Sequence, residues 1–100
     1  MKIVQDIKPL IYKFKSLKNM KNYNVVVKND NVNSFENVIN ALMLTCEYDM
    51  IRSEQLATLV HLRGEIPVKE NVDYFDAMEL SNQLKDTFGL NTEIKEYQNN

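Results

Sequence analysis

Few side chains among the 100 residues of this chain can do chemistry, and their spacing narrows the choice further. A single cysteine, Cys46, and a single histidine, His61, could form a thiol–imidazole pair. Cys46, however, falls on the apolar stripe of a helical pattern, whereas a reactive thiol needs an accessible, electropositive setting. One Cys and one His are too few for a closed zinc site of His and Cys ligands. Gly64 and Gly89 are the two glycines of the chain and both read as helix stops, so there is no glycine-rich phosphate loop. Aspartates and glutamates are plentiful, as on any solvated surface. What remains is Asn29, Asp30 and Asn31 in one polar turn, together with His61. Asn offers a carbonyl oxygen, Asp a carboxylate and neutral His one ring nitrogen, all of them hydrogen-bond acceptors. His61 also has a simpler role open to it, as a side chain favoured at the negative end of a helix dipole. No catalytic group, metal or cofactor is expected, and the chain reads as a binding protein rather than an enzyme.

The elements that must position these groups follow from the flanking pattern. Tyr23, Val25, Val26 and Val27 form a short β-branched and aromatic run that suits a strand. Lys28 to Asn31 ends it, because Asn and Asp bond locally to the backbone and tolerate turn geometry. Asn33, with Glu36 three residues on, reads as a capping-box start for a helix. Polar groups held between a strand end and a helix start are a common setting for binding sites. Phe35, Val38, Ile39, Leu42, Met43 and Cys46 then recur at helical spacing, predicting a helix over 34–45.

Asp49 caps a second helix carrying Ile51, Leu56, Leu59, Val60 and Leu62, which ends at Gly64. Ile66-Pro67-Val68 reads as a short strand, confined by its proline to an edge or bulge. Asn71 or Asp73 starts a third helix with Phe75, Met78, Leu84 and Phe88 on its apolar side and Leu80 nearby, and Gly89 stops it. Leu90, Thr92 and Ile94 alternate with Asn91, Glu93 and Lys95, the period of a half-buried strand. The order strand–helix–helix–strand–helix–strand predicts an α+β fold, a small sandwich with three helices on one face of a three-stranded antiparallel sheet.

Length and composition agree with one modest domain. A formal charge of −2 lacks the basic excess of a nucleic-acid binder. No apolar run approaches the ~20 residues of a membrane span, and no signal peptide is read at the N-terminus. One cysteine allows no internal disulfide, which fits a reducing cytoplasm. Residues 1–22 are read as an N-terminal extension, 23–96 as the core domain and 97–100 as a tail. Within the extension, Ile3, Ile7, Leu10, Ile11, Phe14 and Leu17 recur at helical spacing among six lysines, with Pro9 near the start. A terminal helix laid on the domain, a partly ordered segment and an amphipathic helix for an anionic membrane or a partner groove all fit that pattern.

From Tyr23 to Ile94 the sequence resembles the ClpS adaptor family, whose members deliver substrates bearing destabilising N-terminal residues to the Clp protease. The resemblance rests on the strand Tyr23–Lys28, the Asn29-Asp30 pair, Phe35-Glu36 opening the helix and His61-Leu62-Arg63-Gly64. These features align without a gap from Tyr23 to Gly64, and the Asn-Asp-x-Val-Asn-Ser-Phe run is similar to members from the Bacteroidetes lineage. The family fold is a small α/β sandwich of the kind the pattern predicts.

The resemblance implies that Asn29, Asp30 and His61 bind the α-amino group of a substrate, with Asn31 a secondary position of that site. It implies a side-chain pocket made of Asn33, Phe35, Val38, Ala57, Val60 and Leu90. Phe35 and Ala57 stand where many relatives have methionines. The implied partners are substrates with destabilising first residues and the N-terminal domain of a ClpA- or ClpC-type unfoldase. A monomer is expected, in the cytoplasm, with no nucleic-acid or membrane partner. The chemistry is consistent: a free α-amine has a pKa of about 7.7–8.0 and is mostly protonated at neutral pH, so converging acceptors can recognise it.

Three departures stand against the family pattern. Asn31 replaces a second Asp, Glu65 to Phe88 aligns only with a gap, and residues 1–22 do not read as a simple flexible tail. Two other readings therefore stay open. One is a ClpS-like regulatory or structural domain that has lost amine recognition, and the other is a protein that uses Cys46 catalytically.

Overall fold

The computed structural model describes residues 21–98. The N-terminal extension therefore lies outside the described residues apart from Lys21 and Asn22. The element order is β1 (Tyr23–Lys28), α1 (Phe35–Thr45), α2 (Met50–Arg63), β2 (Glu65–Val72), α3 (Tyr74–Phe88) and β3 (Asn91–Glu96). The predicted α+β order is the one observed. The strands form one sheet in the order β2-β1-β3, and both pairs are antiparallel. Among the described residues, no helix is long and apolar enough to cross a membrane.

Strand alternation sorts the valines of β1. Val25 and Val27 point into a core shared with Val38, Ala41 and Leu42 of α1, Ala57 and Val60 of α2, Val68 of β2, Ala77 and Leu84 of α3, and Leu90. All three helices thus cover the same face of the sheet. Val26 belongs to the other face yet is only 3% exposed. Lys95 of β3 is in register with Asn24, and Glu65 of β2 with Lys28. Their ion pair, 2.5 Å long, therefore crosses β1 over Val26, and Lys28–Glu93 at 2.6 Å lies beside it. Such side chains can lay their aliphatic stems over apolar surface while their charges pair.

Each helix is set by its ends. Asp49 accepts the Arg52 N–H at 2.8 Å and Asp73 the Asp76 N–H at 2.9 Å, as N-caps do. Gly64 (φ 87°) and Gly89 (φ 69°) close α2 and α3 in the left-handed region. A Cβ at either would meet nothing within 4 Å, so backbone conformation and not space calls for glycine there.

The structure differs from the sequence reading at four points. The N-cap of α1 is Ser34, which accepts the Asn37 N–H at 3.1 Å, and not Asn33, whose side chain is committed elsewhere. Asn71 does not start α3. It is the penultimate residue of β2, with φ 60° and its N–H bonded to Asn24 Oδ1 at 3.0 Å. Strand β2 runs eight residues, well past Ile66-Pro67-Val68, because pairing with β1 sets Lys69 opposite Val25 and Val72 opposite Tyr23, with Glu70 and Asn71 in the irregularity between them. Its proline sits on an edge strand as predicted, opposite Val26. Finally, Ile51 and Leu62 are 70% and 72% exposed, while Ser53, Ala57 and Val60 form the buried stripe of α2. Small residues let α2 approach its neighbours closely, and that sets the rotation of the helix.

Candidate functional site

The loop between β1 and α1 is organised by Asp30. Its Oδ1 accepts the N–H groups of Val32 at 3.0 Å and Asn33 at 2.8 Å, and its Oδ2 accepts Asn33 Nδ2 at 2.9 Å. The Asn33 N–H and then the Asn33 carboxamide hold the Asp30 carboxyl below the usual carboxylate range, against the opposing effect of burial. A second tie fixes the start of the loop: the Asn29 N–H donates to the Gly64 carbonyl at 2.8 Å. The end of β1 is thereby joined to the end of α2, which carries His61.

Between α1 and α2 lies a small cavity of about 50 Å³, lined by Asn29, Asn33, Ser34, Phe35, Val38, Ala57, Val60 and His61. Residues 32 apart in sequence, Asn29 and His61, thus meet at one concavity. Neither side chain has a hydrogen-bond partner among the described residues, so the Asn29 carboxamide and the His61 imidazole are open to a ligand. Val38, Ala57 and Val60 are nearly fully buried and give the apolar part of the lining, and Phe35 stands 45% exposed at its mouth. Acceptors and an apolar recess in one concavity can hold a polar head group together with a hydrophobic side chain.

Of the site residues named from the sequence, Asn29, Asn33, Phe35, Val38, Ala57, Val60 and His61 line this cavity. Asp30, Asn31 and Leu90 are not among the lining residues. Asp30 adjoins it through Asn33, and Asn31 is exposed on the loop. Leu90 is 2% exposed in the core beside Val38 and Val60, its N–H bonded to the Leu84 carbonyl at 3.1 Å.

The sequence reading missed Ser34 and Asn37. Ser34 lines the cavity as well as capping α1. Asn37 donates from Nδ2 to Asn33 Oδ1 at 2.7 Å and to the Phe88 carbonyl at 2.9 Å. Its spacing of four from Asn33 was the available signal.

Cys46 and His61 are not brought together. Cys46 lines a separate cavity of about 250 Å³ with Glu47, Lys69, Val72 and Leu80, and burial pushes its thiol up. Among the described residues, no group of three or more His, Cys, Asp or Glu side chains could hold a metal ion.

Comparison with known proteins agrees with this architecture. The family model of the ATP-dependent Clp protease adaptor protein ClpS matches residues 18–93. No curated protein matches the chain. Among solved structures, that of Agrobacterium tumefaciens ClpS2 bound to L-phenylalaninamide is similar, with a TM-score of 0.71 and 18% identity. The likeness covers 76% of this chain and 96% of that one and concerns the fold. With the strand–helix–helix–strand–helix–strand sandwich in place and three-quarters of its length matched by the family model, this chain belongs to the ClpS adaptor family.

Proposed function

We propose that this protein is an N-degron adaptor: it binds the free α-amino group and bulky apolar first side chain of a substrate and hands that substrate to a Clp unfoldase. The observation that carries the reading is the meeting of Asn29 and His61, two side chains without a hydrogen-bond partner among the described residues, at a cavity whose apolar walls are Phe35, Val38, Ala57 and Val60. A protonated amine would donate to the Asn29 carbonyl oxygen and to the neutral His61 ring nitrogen. Asp30 supplies the nearby negative charge. Its hydrogen bonds use three lone pairs of a carboxylate that can accept about four, so its main contribution is to shape the loop. The ligand in the similar ClpS2 structure, L-phenylalaninamide, has the same two features, a free α-amine and an apolar side chain.

The partner proposed is the N-terminal domain of a ClpA- or ClpC-type unfoldase, in the cytoplasm, with the adaptor acting as a monomer. Residues 1–22 would serve handover, since every proposed contact to the amine lies after them.

A second reading, a ClpS-like domain without amine recognition, draws support from Asn31 in place of an acid and from the engagement of Asp30 within its own loop. Titrating a short peptide with a free N-terminal Leu or Phe, alongside its N-acetylated copy, separates the two. Binding of the free form alone supports the adaptor, and equal binding of both removes amine recognition.

A further inference from the structure

The two carboxamides behind the cavity form a chain with one consistent direction. Asn33 Nδ2 donates to Asp30 Oδ2 and to the Gly89 carbonyl, each at 2.9 Å. Asn33 Oδ1 accepts Asn37 Nδ2 at 2.7 Å, and Asn37 Nδ2 also reaches the Phe88 carbonyl at 2.9 Å. Each amide nitrogen has two hydrogens, and each uses both. Flipping Asn33 would set its carbonyl oxygen against a carboxylate and a carbonyl with no proton between them, so the orientation is dictated by the partners. The Phe88 and Gly89 carbonyls come from the end of α3, where the helix leaves acceptors unpaired. The loop of acceptors is thus pinned twice: at Asn29 to the end of α2, and at Asn33 to the end of α3.

We propose that Asn37, which does not line the cavity, is a positioning residue for amine recognition, acting through Asn33 to clamp the 29–33 loop to the α3–β3 turn. The inference rests on the adaptor reading above. Acceptors held in place before binding lose less freedom when the ligand arrives, so a loosened clamp weakens affinity without removing any contact to the ligand. The Asp30 carboxyl reports on the clamp independently of any ligand, because Asn33 is the chief cause of its lowered titration.

The test uses the full chain and the variants Asn37→Leu, Asn37→Ala, Asn33→Ala and the Asn33→Ala/Asn37→Ala pair. Affinity for a free-amine Leu peptide is titrated, and the Asp30 carboxyl is followed by NMR. Asn37→Leu should bind about five- to tenfold more weakly, the scale of one lost hydrogen bond. Its Asp30 should titrate nearer the ordinary carboxylate value, and the double variant should bind no more weakly than Asn33→Ala alone. Unchanged affinity and titration in a folded Asn37 variant, or fully additive losses, would overturn the proposal. So would failure of both Asn37 variants to fold, which would make the role one of stability. If the parent protein binds acetylated and free peptide equally, the adaptor reading falls and the clamp with it. If the parent discriminates and the Asn37 variants bind like the parent, the clamp alone falls.

Discussion

The Asn29 N–H donates to the Gly64 carbonyl oxygen at 2.8 Å, closing the end of β1 onto the end of α2. This one backbone bond joins two segments that each carry an acceptor, Asn29 itself and His61 three residues before Gly64. An acceptor pair drawn from one flexible loop would have to be ordered by its ligand. Here strand and helix already hold both residues beside the same cavity.

His61→Ala should weaken binding of a free-amine peptide by ~1.5–3 kcal/mol, the usual range for a hydrogen bond to a charged group. His61 is exposed and supports no hydrogen bond among the described residues, so thermal stability should barely change. Calorimetric titration of parent and variant checks the first statement and thermal unfolding the second. Equal affinities would remove His61 from the site.

Phe35 should set side-chain selectivity. Its ring stands at the mouth of a cavity of about 50 Å³, a tight space for a bulky first residue. Phe35→Ala is expected to widen the entrance and admit β-branched Val and Ile, narrowing the preference for Leu over Val. Peptides differing only in the first residue measure this, and an unchanged Leu-to-Val ratio would exclude Phe35 from the pocket.

Asn31→Asp should raise affinity for a free-amine peptide, by placing a second carboxylate on the loop near the ammonium. The gain should shrink as salt is added, because Asn31 is exposed and screened. Affinity measured at low and high ionic strength is the check.

Asp30 should not govern the acid side of the binding profile. Its carboxyl is held low chiefly by the Asn33 N–H and the Asn33 carboxamide. A group depressed in the folded state contributes fully above its unfolded value, about 3.9 for Asp, and loses that contribution as pH falls through the lower folded value. Binding lost above that window would thus not come from Asp30. On the alkaline side it should fall above about pH 8, as the peptide amine loses its proton. Asp30→Asn should lower affinity throughout and leave the shape of the profile above pH ~5 unchanged.

Two buried hydroxyls should respond oppositely. Ser53 is 0% exposed and its Oγ has no partner among the described residues. Ser53→Ala should be neutral or stabilising by up to ~1 kcal/mol. Thr92 Oγ1 instead pairs with Ser81 Oγ at 2.7 Å, linking β3 to α3. Thr92→Val should cost ~1–3 kcal/mol by stranding the Ser81 hydroxyl. Urea unfolding of the two variants distinguishes them.

Much of the fold was legible in the sequence alone. The period of the apolar residues and the end signals at Asp49, Gly64, Asp73 and Gly89 are local properties, and they determined the element order and most helix ends. They also placed Asn29 at a strand end and His61 in the last turn of a helix, and motif resemblance paired them. Tertiary structure decided what depends on groups far apart in the chain. Asn33 has the composition of a helix cap, but an Asp30 carboxylate and a carbonyl 56 residues away compete for its amide, leaving the cap to Ser34. Ile51 and Leu62 satisfy a helical period, yet the close approach of Ala57 and Val60 turns them to solvent. Spacing fixes which residues can share a face, whereas a polar group's partner and a helix's rotation are set by whatever packs against them in three dimensions.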